Sequence, residues 1–216
     1  MNAVATVITI TKSAGLAIRP SKTVLYAAVL TACISAQSSH AVNEPTAYPV
    51  PIAIKQSVGD AHLVGKGMLR VFGFRVYEAR LFASPSWSIK EGWDKQSFAL
   101  ELSYLRSVSG KAISQSSRDE LARLKFGNEV KRASWANNMD SLFVDVKEGD
   151  RIVGIYKPNQ ATIFLLNDKP LGTIQDTEFG PAFFGIWFND QTKDKALRSA
   201  LLGAASAKGS GQSHVR

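Results

Sequence analysis

The chain has 216 residues, with 26 Lys and Arg against 18 Asp and Glu, three His and one Cys. That length suits one folded domain with short appendages. A single Cys excludes an intramolecular disulfide and a thiolate zinc cluster, and three dispersed His disfavour a Ser-His-Asp triad or a multi-His metal site. We therefore expect no metal and no cofactor.

The first 36 residues are predicted to be a signal peptide. They carry basic but no acidic side chains, and their apolar run at 24–34 is shorter than the ~20 residues of a membrane-spanning helix. Two processing routes stay open. One is cleavage by a signal peptidase after Ala36 or Ala41. In the other, the sequence LTAC ending at Cys33 resembles a lipobox, which would make Cys33 a lipid-bearing first residue. Both routes predict export, either to the periplasm or to a lipid-anchored position at the cell envelope.

Two low-complexity segments flank the predicted domain. Residues 37–50 are polar, contain two prolines and are typical of a linker. Residues 204–216 are small, polar and aperiodic, which predicts a disordered tail. The folded domain is therefore expected over residues 51–203.

The first half of the domain is predicted to be extended. Ile52–Val58 is expected to form a first strand, and 65–82 forms a central strand or a hairpin because both of its faces are partly apolar. The segment 98–108 alternates between apolar and polar residues, which places Tyr104 and Arg106 on its apolar face.

The second half is predicted to contain two helices, three short strands and two further helices. Ser117–Glu120 fits a capping box at a helix start, and 129–143 has apolar residues at helical spacing. The later elements are expected at Arg151–Tyr156, Ala161–Leu166, Leu171–Ile174, Thr177–Phe188 and Thr192–Gly203. Short connections favour antiparallel pairing, so the order predicts an α+β fold: a twisted antiparallel sheet wrapped on one side by helices.

Arg106 and Arg70 are the candidate ligand-binding cations, since both are in phase with apolar residues. An inward guanidinium needs a partner, because an unpaired buried charge is costly. The partner is either a structural carboxylate, water at the end of a strand, or the acid group of an apolar ligand. In the last case Tyr77 and Tyr104 would supply hydrogen bonds. The candidate structural carboxylates are Glu78, Asp145 and Asp176.

Nucleotide and nucleic-acid binding are disfavoured. The sequence around Gly65-Lys66-Gly67 lacks the further glycine and the Lys-Ser/Thr pair of a phosphate-binding loop. The basic residues do not form a stripe interleaved with aromatic residues. We therefore expect no nucleic-acid partner.

Four stretches of the chain carry a family resemblance: GKGMLRVFGFRVYEARLF, LELSYLRSVSG, SLFVDVKEGDRI and FLLNDKPLGTIQDTEFGPAFFGIWFNDQTKDKALRSALLG. In this order they resemble the bacterial chalcone isomerase-like domain. The resemblance covers roughly residues 50–203. It implies an open sheet wrapped by helices, with a ligand cleft between them.

The resemblance also bears on chemistry. Plant chalcone isomerases close a ring with an Arg, a Thr, a Tyr, an Asn and a Ser or Thr. The matching positions in this chain are Arg70, Phe72, Ile113, Glu120 and Asp176, so the resemblance implies that the ring-closing set is absent. Non-catalytic relatives bind fatty acids through an Arg and a Tyr.

The sequence therefore predicts an exported, non-catalytic protein that binds a small apolar acid, either a fatty acid or an aromatic acid. Arg70, Tyr77, Tyr104 and Arg106 are the predicted ligand-binding residues. Two alternatives stay open: an intramolecular lyase of the chalcone isomerase type, and a ligand-free scaffold of the cell envelope.

Overall fold

A computed structural model of the chain describes residues 48–203. Its strands form one six-stranded antiparallel sheet in which each strand pairs with the next along the chain. The strands are β1 His62–Val71, β2 Phe74–Ala83, β3 Phe98–Tyr104, β4 Arg151–Tyr156, β5 Thr162–Leu166 and β6 Lys169–Ile174. The helices are α1 Ile52–Val58, α2 Gly110–Arg123, α3 Glu129–Leu142, α4 Phe179–Phe188 and α5 Lys195–Leu201.

The two faces of the sheet are covered differently. One face packs against α2 to α5 and forms the larger apolar core, which includes Phe98, Phe164 and the almost wholly buried helix α4. The other face forms a smaller core around Ile54 of α1. The predicted α+β class is confirmed, with the addition of one short helix on the second face.

The prediction of a first strand at Ile52–Val58 is wrong, because this segment is helix α1. In a strand Ile52 and Ile54 would share a face, but Ile54 is fully buried whereas Ile52 is 75% exposed. The Lys55 N–H donates to the carbonyl of Pro51 at 3.1 Å, which closes the first turn. Gly59, at φ +84°, ends the helix.

The predicted helix start at Ser117 is also wrong. Helix α2 begins at Gly110, where the Ser109 side chain accepts a hydrogen bond from the Ala112 N–H at 3.2 Å. Ser117 lies in the middle of α2 and donates to the carbonyl of Ile113 at 2.9 Å. A serine hydroxyl that donates to the carbonyl one turn earlier lies inside a helix and does not cap its start.

Residues 65–82 form a hairpin, which was one of the two predicted alternatives. The turn consists of Phe72 and Gly73, both with positive φ, as a type I′ turn requires. Strand β3 ends at Tyr104, earlier than the predicted Val108. Arg106 therefore lies beyond the strand.

The structure describes only part of the segments predicted to flank the domain. Tyr48 and Val50, at the end of the predicted linker, pack against the smaller core. The predicted signal segment, including Cys33, and the predicted tail after residue 203 lie outside the described residues. Within 48–203, no helix combines the length and apolar character needed to cross a membrane.

Candidate ligand-binding cavity

A cavity of about 280 Å³ lies between the helix-covered face of the sheet and helices α2, α4 and α5. This volume is near the lower limit of small-molecule sites, about 300–1,000 Å³. Its inner wall is formed by apolar and aromatic side chains, including Leu100, Leu102, Ile152, Phe164, Phe183 and Phe184. Such a wall favours a small, largely apolar ligand.

The wall residues that also reach solvent mark the mouth of the cavity. They are Val71 at the end of β1, Ala112 and Ser116 on α2, and Lys193 before α5. The mouth therefore lies beside the tip of the β1–β2 hairpin.

Tyr77 and Tyr104 lie side by side in the cavity wall. They are register partners on β2 and β3, and their ring centroids are 5.8 Å apart. The Trp187 indole N–H donates to the Tyr77 hydroxyl at 3.1 Å. Among residues 48–203, the Tyr104 hydroxyl has no hydrogen-bond partner. Two phenol groups therefore lie in the inner part of the wall, which is otherwise formed by apolar and aromatic side chains.

Burial raises the pKa of both the Tyr77 and the Tyr104 phenol. The charged form of a phenol is disfavoured where water is excluded. Both hydroxyls are therefore protonated at neutral pH and available as hydrogen-bond donors.

A β-bulge positions this part of the wall. Leu69 pairs with Tyr77 whereas Arg70 pairs with Arg75, so Val76 is an extra residue on β2. The bulge lets the consecutive residues Val76 and Tyr77 both line the cavity, which strict alternation would prevent.

Ion pairs border the cavity on the helical side. Glu120 of α2 pairs with Arg123 at 2.7 Å and with Lys193. Arg198 of α5 pairs with Asp190 at 2.5 Å. Partial burial raises the pKa of Glu120, but its hydrogen bonds with Arg123 and Lys193 outweigh this and the net pKa is lowered. Sequence reasoning did not identify Lys193 or Arg198, since both lie on a mixed polar surface without a recognisable motif.

Arg70 and Arg106, the two arginines predicted to bind the ligand, are not among the residues that line the cavity. Arg70 is exposed on β1. Arg106 is half-buried in the bend after β3, and its guanidinium carbon lies 5.0 Å above the centre of the Phe74 ring. The structure therefore brings Tyr77 and Tyr104 together at the cavity but places both arginines outside it. The expected inward direction of Arg106 was wrong because β3 ends two residues earlier.

The structural carboxylates considered for Arg106 have other partners. Glu78 pairs with Arg80 at 2.5 Å, and Asp145 accepts a hydrogen bond from the Gly110 N–H at 2.9 Å. Asp176 accepts one from the Trp135 indole at 2.8 Å.

The positions matched to the isomerase residues are only partly at the cavity. Ile113 and Glu120 line it. Phe72 is 96% exposed at the hairpin tip, and Asp176 lies away from the wall, bonded to Trp135. The side chains present at the two cavity positions differ from the tyrosine and asparagine of the plant enzymes.

A second polar cluster lies on the opposite face of the sheet and was missed in the sequence. Glu101 is fully buried and pairs with Arg80 at 2.8 Å and Arg151 at 3.3 Å. Tyr48 packs under the Arg80 guanidinium at 4.3 Å. The alternation of β3 placed Glu101 on this face, but only the pairing register brings Arg80 and Arg151 to it. No group of side chains suited to a metal ion occurs among the residues described.

Comparison with known proteins places this architecture in a family. The family described as chalcone isomerase-like matches residues 47–203. The chain belongs to the chalcone isomerase-like family.

Among solved structures, the chain is similar to a fatty-acid binding protein of Arabidopsis thaliana. The two share 15% sequence identity and superpose with a TM-score of 0.56. The match covers 76% of this chain and 96% of the Arabidopsis chain, so it supports the common fold. No curated protein matches by sequence.

Proposed function

We propose that the chain is a non-catalytic binding protein for a small apolar acid, either a fatty acid or an aromatic acid. The observation that carries the proposal is the apolar cavity with Tyr77 and Tyr104 side by side in its wall. The hydrocarbon part of the ligand would fill the interior, and its acid group would accept hydrogen bonds from the two phenols. The Arabidopsis neighbour, named as a fatty-acid binding protein, supports the same class of ligand.

The protonation of the tyrosines favours binding over catalysis. A general acid or base works best with a pKa near the working pH. Burial raises the pKa of the Tyr77 and Tyr104 phenols, which moves it further from neutral pH. Hydrogen-bond donation is what a protonated phenol offers to a carboxyl group. This chemistry holds a ligand without transforming it.

Calorimetric titration tests the proposal. The purified chain is titrated with a medium-chain fatty acid, with the alcohol of equal length and with an aromatic acid. We expect one of the acids to bind more tightly than the alcohol. Tyr104→Phe should lower the affinity for that acid about tenfold, since it removes one hydrogen bond to a charged or polar head group.

Tyr48→Phe is the matched control, because Tyr48 lies on the opposite face of the sheet and should leave the affinity unchanged. Equal affinity for acid and alcohol, or an unchanged affinity in Tyr104→Phe, would contradict the proposal. Turnover of a chalcone above background would favour the lyase instead.

We further propose that the protein is exported, either to the periplasm or as a lipoprotein anchored through Cys33. The basic residues and short apolar run within the first 36 residues support this. Intact mass measurement of the protein from its native host tests it. A mature chain that starts after Ala36 or Ala41, or an acylated Cys33, is expected; an unprocessed chain would contradict export.

A further inference from the structure

The tip of the β1–β2 hairpin exposes an apolar surface where a soluble hairpin would carry polar turn residues. Val71 is 44%, Phe72 96% and Phe74 52% exposed. These three side chains are adjacent in space, because Val71 and Phe74 are register partners and Phe72 lies in the turn between them. Clustered exposed apolar residues mark interaction sites more often than single ones.

Phe72 is unfavourable in this turn for a second reason. Its φ is +49°, in the left-handed region that bulky side chains rarely adopt. Asparagine, aspartate or glycine is strongly preferred at this position of a type I′ turn. A phenylalanine here lowers folding stability and exposes apolar surface, so a role in folding does not explain its presence.

Three guanidinium groups surround the apolar tip. Arg70 and Arg75 are register partners directly across the hairpin, and Arg106 stacks on Phe74. Like charges directly opposite each other destabilise a strand pair. No salt bridge among the residues described engages any of the three. An external anion would relieve this repulsion.

We propose that the hairpin tip docks onto a bilayer surface that carries anionic lipids. The side chains of Val71, Phe72 and Phe74 insert between the lipids, while Arg70, Arg75 and Arg106 contact the phosphates. An apolar finger ringed by cations matches the layering of a bilayer interface, in which phosphate groups lie above hydrocarbon.

The tip also lies next to the mouth of the cavity, because Val71 belongs to both. Docking would therefore bring the mouth to the lipid surface, where apolar acids partition. The docking itself does not require that the cavity bind such an acid, so the two proposals can fail separately.

Vesicle co-sedimentation tests the docking. The full chain is used with Cys33→Ser in every variant, so that no acyl anchor can form. The vesicles consist of phosphatidylcholine alone or of phosphatidylcholine mixed with phosphatidylglycerol. Since all variants share the same N-terminal segment, differences between them report on the hairpin tip.

Phe72→Asn should lower the partition coefficient about tenfold through lost apolar burial. It should leave the melting temperature unchanged or higher, since asparagine suits the turn.

Arg70→Gln with Arg75→Gln should lower binding to anionic vesicles about 25-fold, at roughly fivefold for each charge. The matched controls are Val130→Asn, an exposed apolar residue of α3, and Lys55→Gln with Lys90→Gln, two exposed cations elsewhere. They should have little effect.

Equal vesicle binding by the parent chain and Phe72→Asn would overturn the proposal. So would binding that is independent of phosphatidylglycerol, or an equal loss in the control variants. If sedimentation shows that the parent chain self-associates through the tip and does not bind vesicles, the occupant is a second copy and the proposal is wrong.

Discussion

Glu101 illustrates how a single residue connects the strands on the outer face of the sheet. It has no exposed surface, and it is the shared partner of Arg80 on β2 and Arg151 on β4. Arg80 in turn donates to Ser103 at 2.9 Å and Tyr48 at 2.8 Å. The cluster thereby ties three adjacent strands and the segment before α1 together.

Glu101→Ala should therefore lower the free energy of unfolding by about 3 kcal/mol, because it leaves two guanidinium groups without their buried partner. Urea unfolding monitored by tryptophan fluorescence measures the effect. Glu148→Ala, an exposed residue in the turn before β4, is the control and should change stability by less than about 0.5 kcal/mol. A Glu101→Ala variant as stable as the control would show that the cluster does not stabilise the sheet.

At the scale of elements, Asp176 connects two helices. Its carboxylate accepts hydrogen bonds from the Trp135 indole of α3 and from the Glu178 N–H at the start of α4, and Lys131 of α3 lies 3.7 Å away. Partial burial raises the pKa of Asp176, but these partners outweigh it and the net pKa lies below the usual range. The ionised form is therefore stabilised in the folded protein.

This lowered pKa predicts a pH dependence of stability. The contribution of Asp176 is fully present above about pH 4, the ordinary pKa of an aspartate, and is lost as the pH falls through the lower folded-state value. Unfolding free energies measured from pH 6 to pH 2 should fall less steeply in Asp176→Asn, by no more than about 1 kcal/mol because the group is partly exposed. The same slope in both proteins would contradict this contribution.

Alternation and connection length were sufficient to predict most of the elements. Alternation predicted β3 and helical spacing predicted α3, whereas short connections predicted the pairing of β4 to β6 and a nearly all-apolar composition predicted the buried helix α4. The errors fall where the signal was short. Ile52–Val58, predicted as a strand, has only seven residues, and the capping-box pattern at Ser117–Glu120 lies inside α2.

The cavity could be predicted only in part. Strand periodicity placed Tyr104 on the apolar face of β3. Tyr77 was predicted only as a hydrogen-bond partner of the ligand, and its place in the wall follows from its pairing with Tyr104.

Arg106 lies outside the wall because β3 ends at Tyr104. Arg70 lies outside it because its β1 neighbours Leu69 and Val71 line the cavity. The turn at Phe72 and Gly73 interrupts the phase that linked Arg70 to Phe74. The charged residues at the mouth come from loops and helix ends, whose packing no local pattern specifies.

At the scale of the whole molecule, the sheet has one apolar core on each face, and only the larger core contains the cavity described above. The core under α1 is small and has the buried Glu101 and its ion pairs beside it, whereas the core under α2 to α5 contains the cavity. The family gives the fold, and the residues of this cavity define what it can hold.

Ile113 offers a way to fill the cavity without disturbing the rest of the molecule. It lies on α2, half-buried in the cavity wall. Ile113→Trp places a large ring in the space proposed for the ligand. Val130→Trp, on the exposed side of α3, is the matched control with the same added side chain.

Native mass spectrometry of the full-length protein and these two variants, each purified from the cells that make it, tests the central claim most directly. The proposed binding function predicts that the parent chain and Val130→Trp carry a co-purifying fatty or aromatic acid, and that folded Ile113→Trp carries none. A parent chain without any bound acid, and without affinity for acids added afterwards, would contradict it.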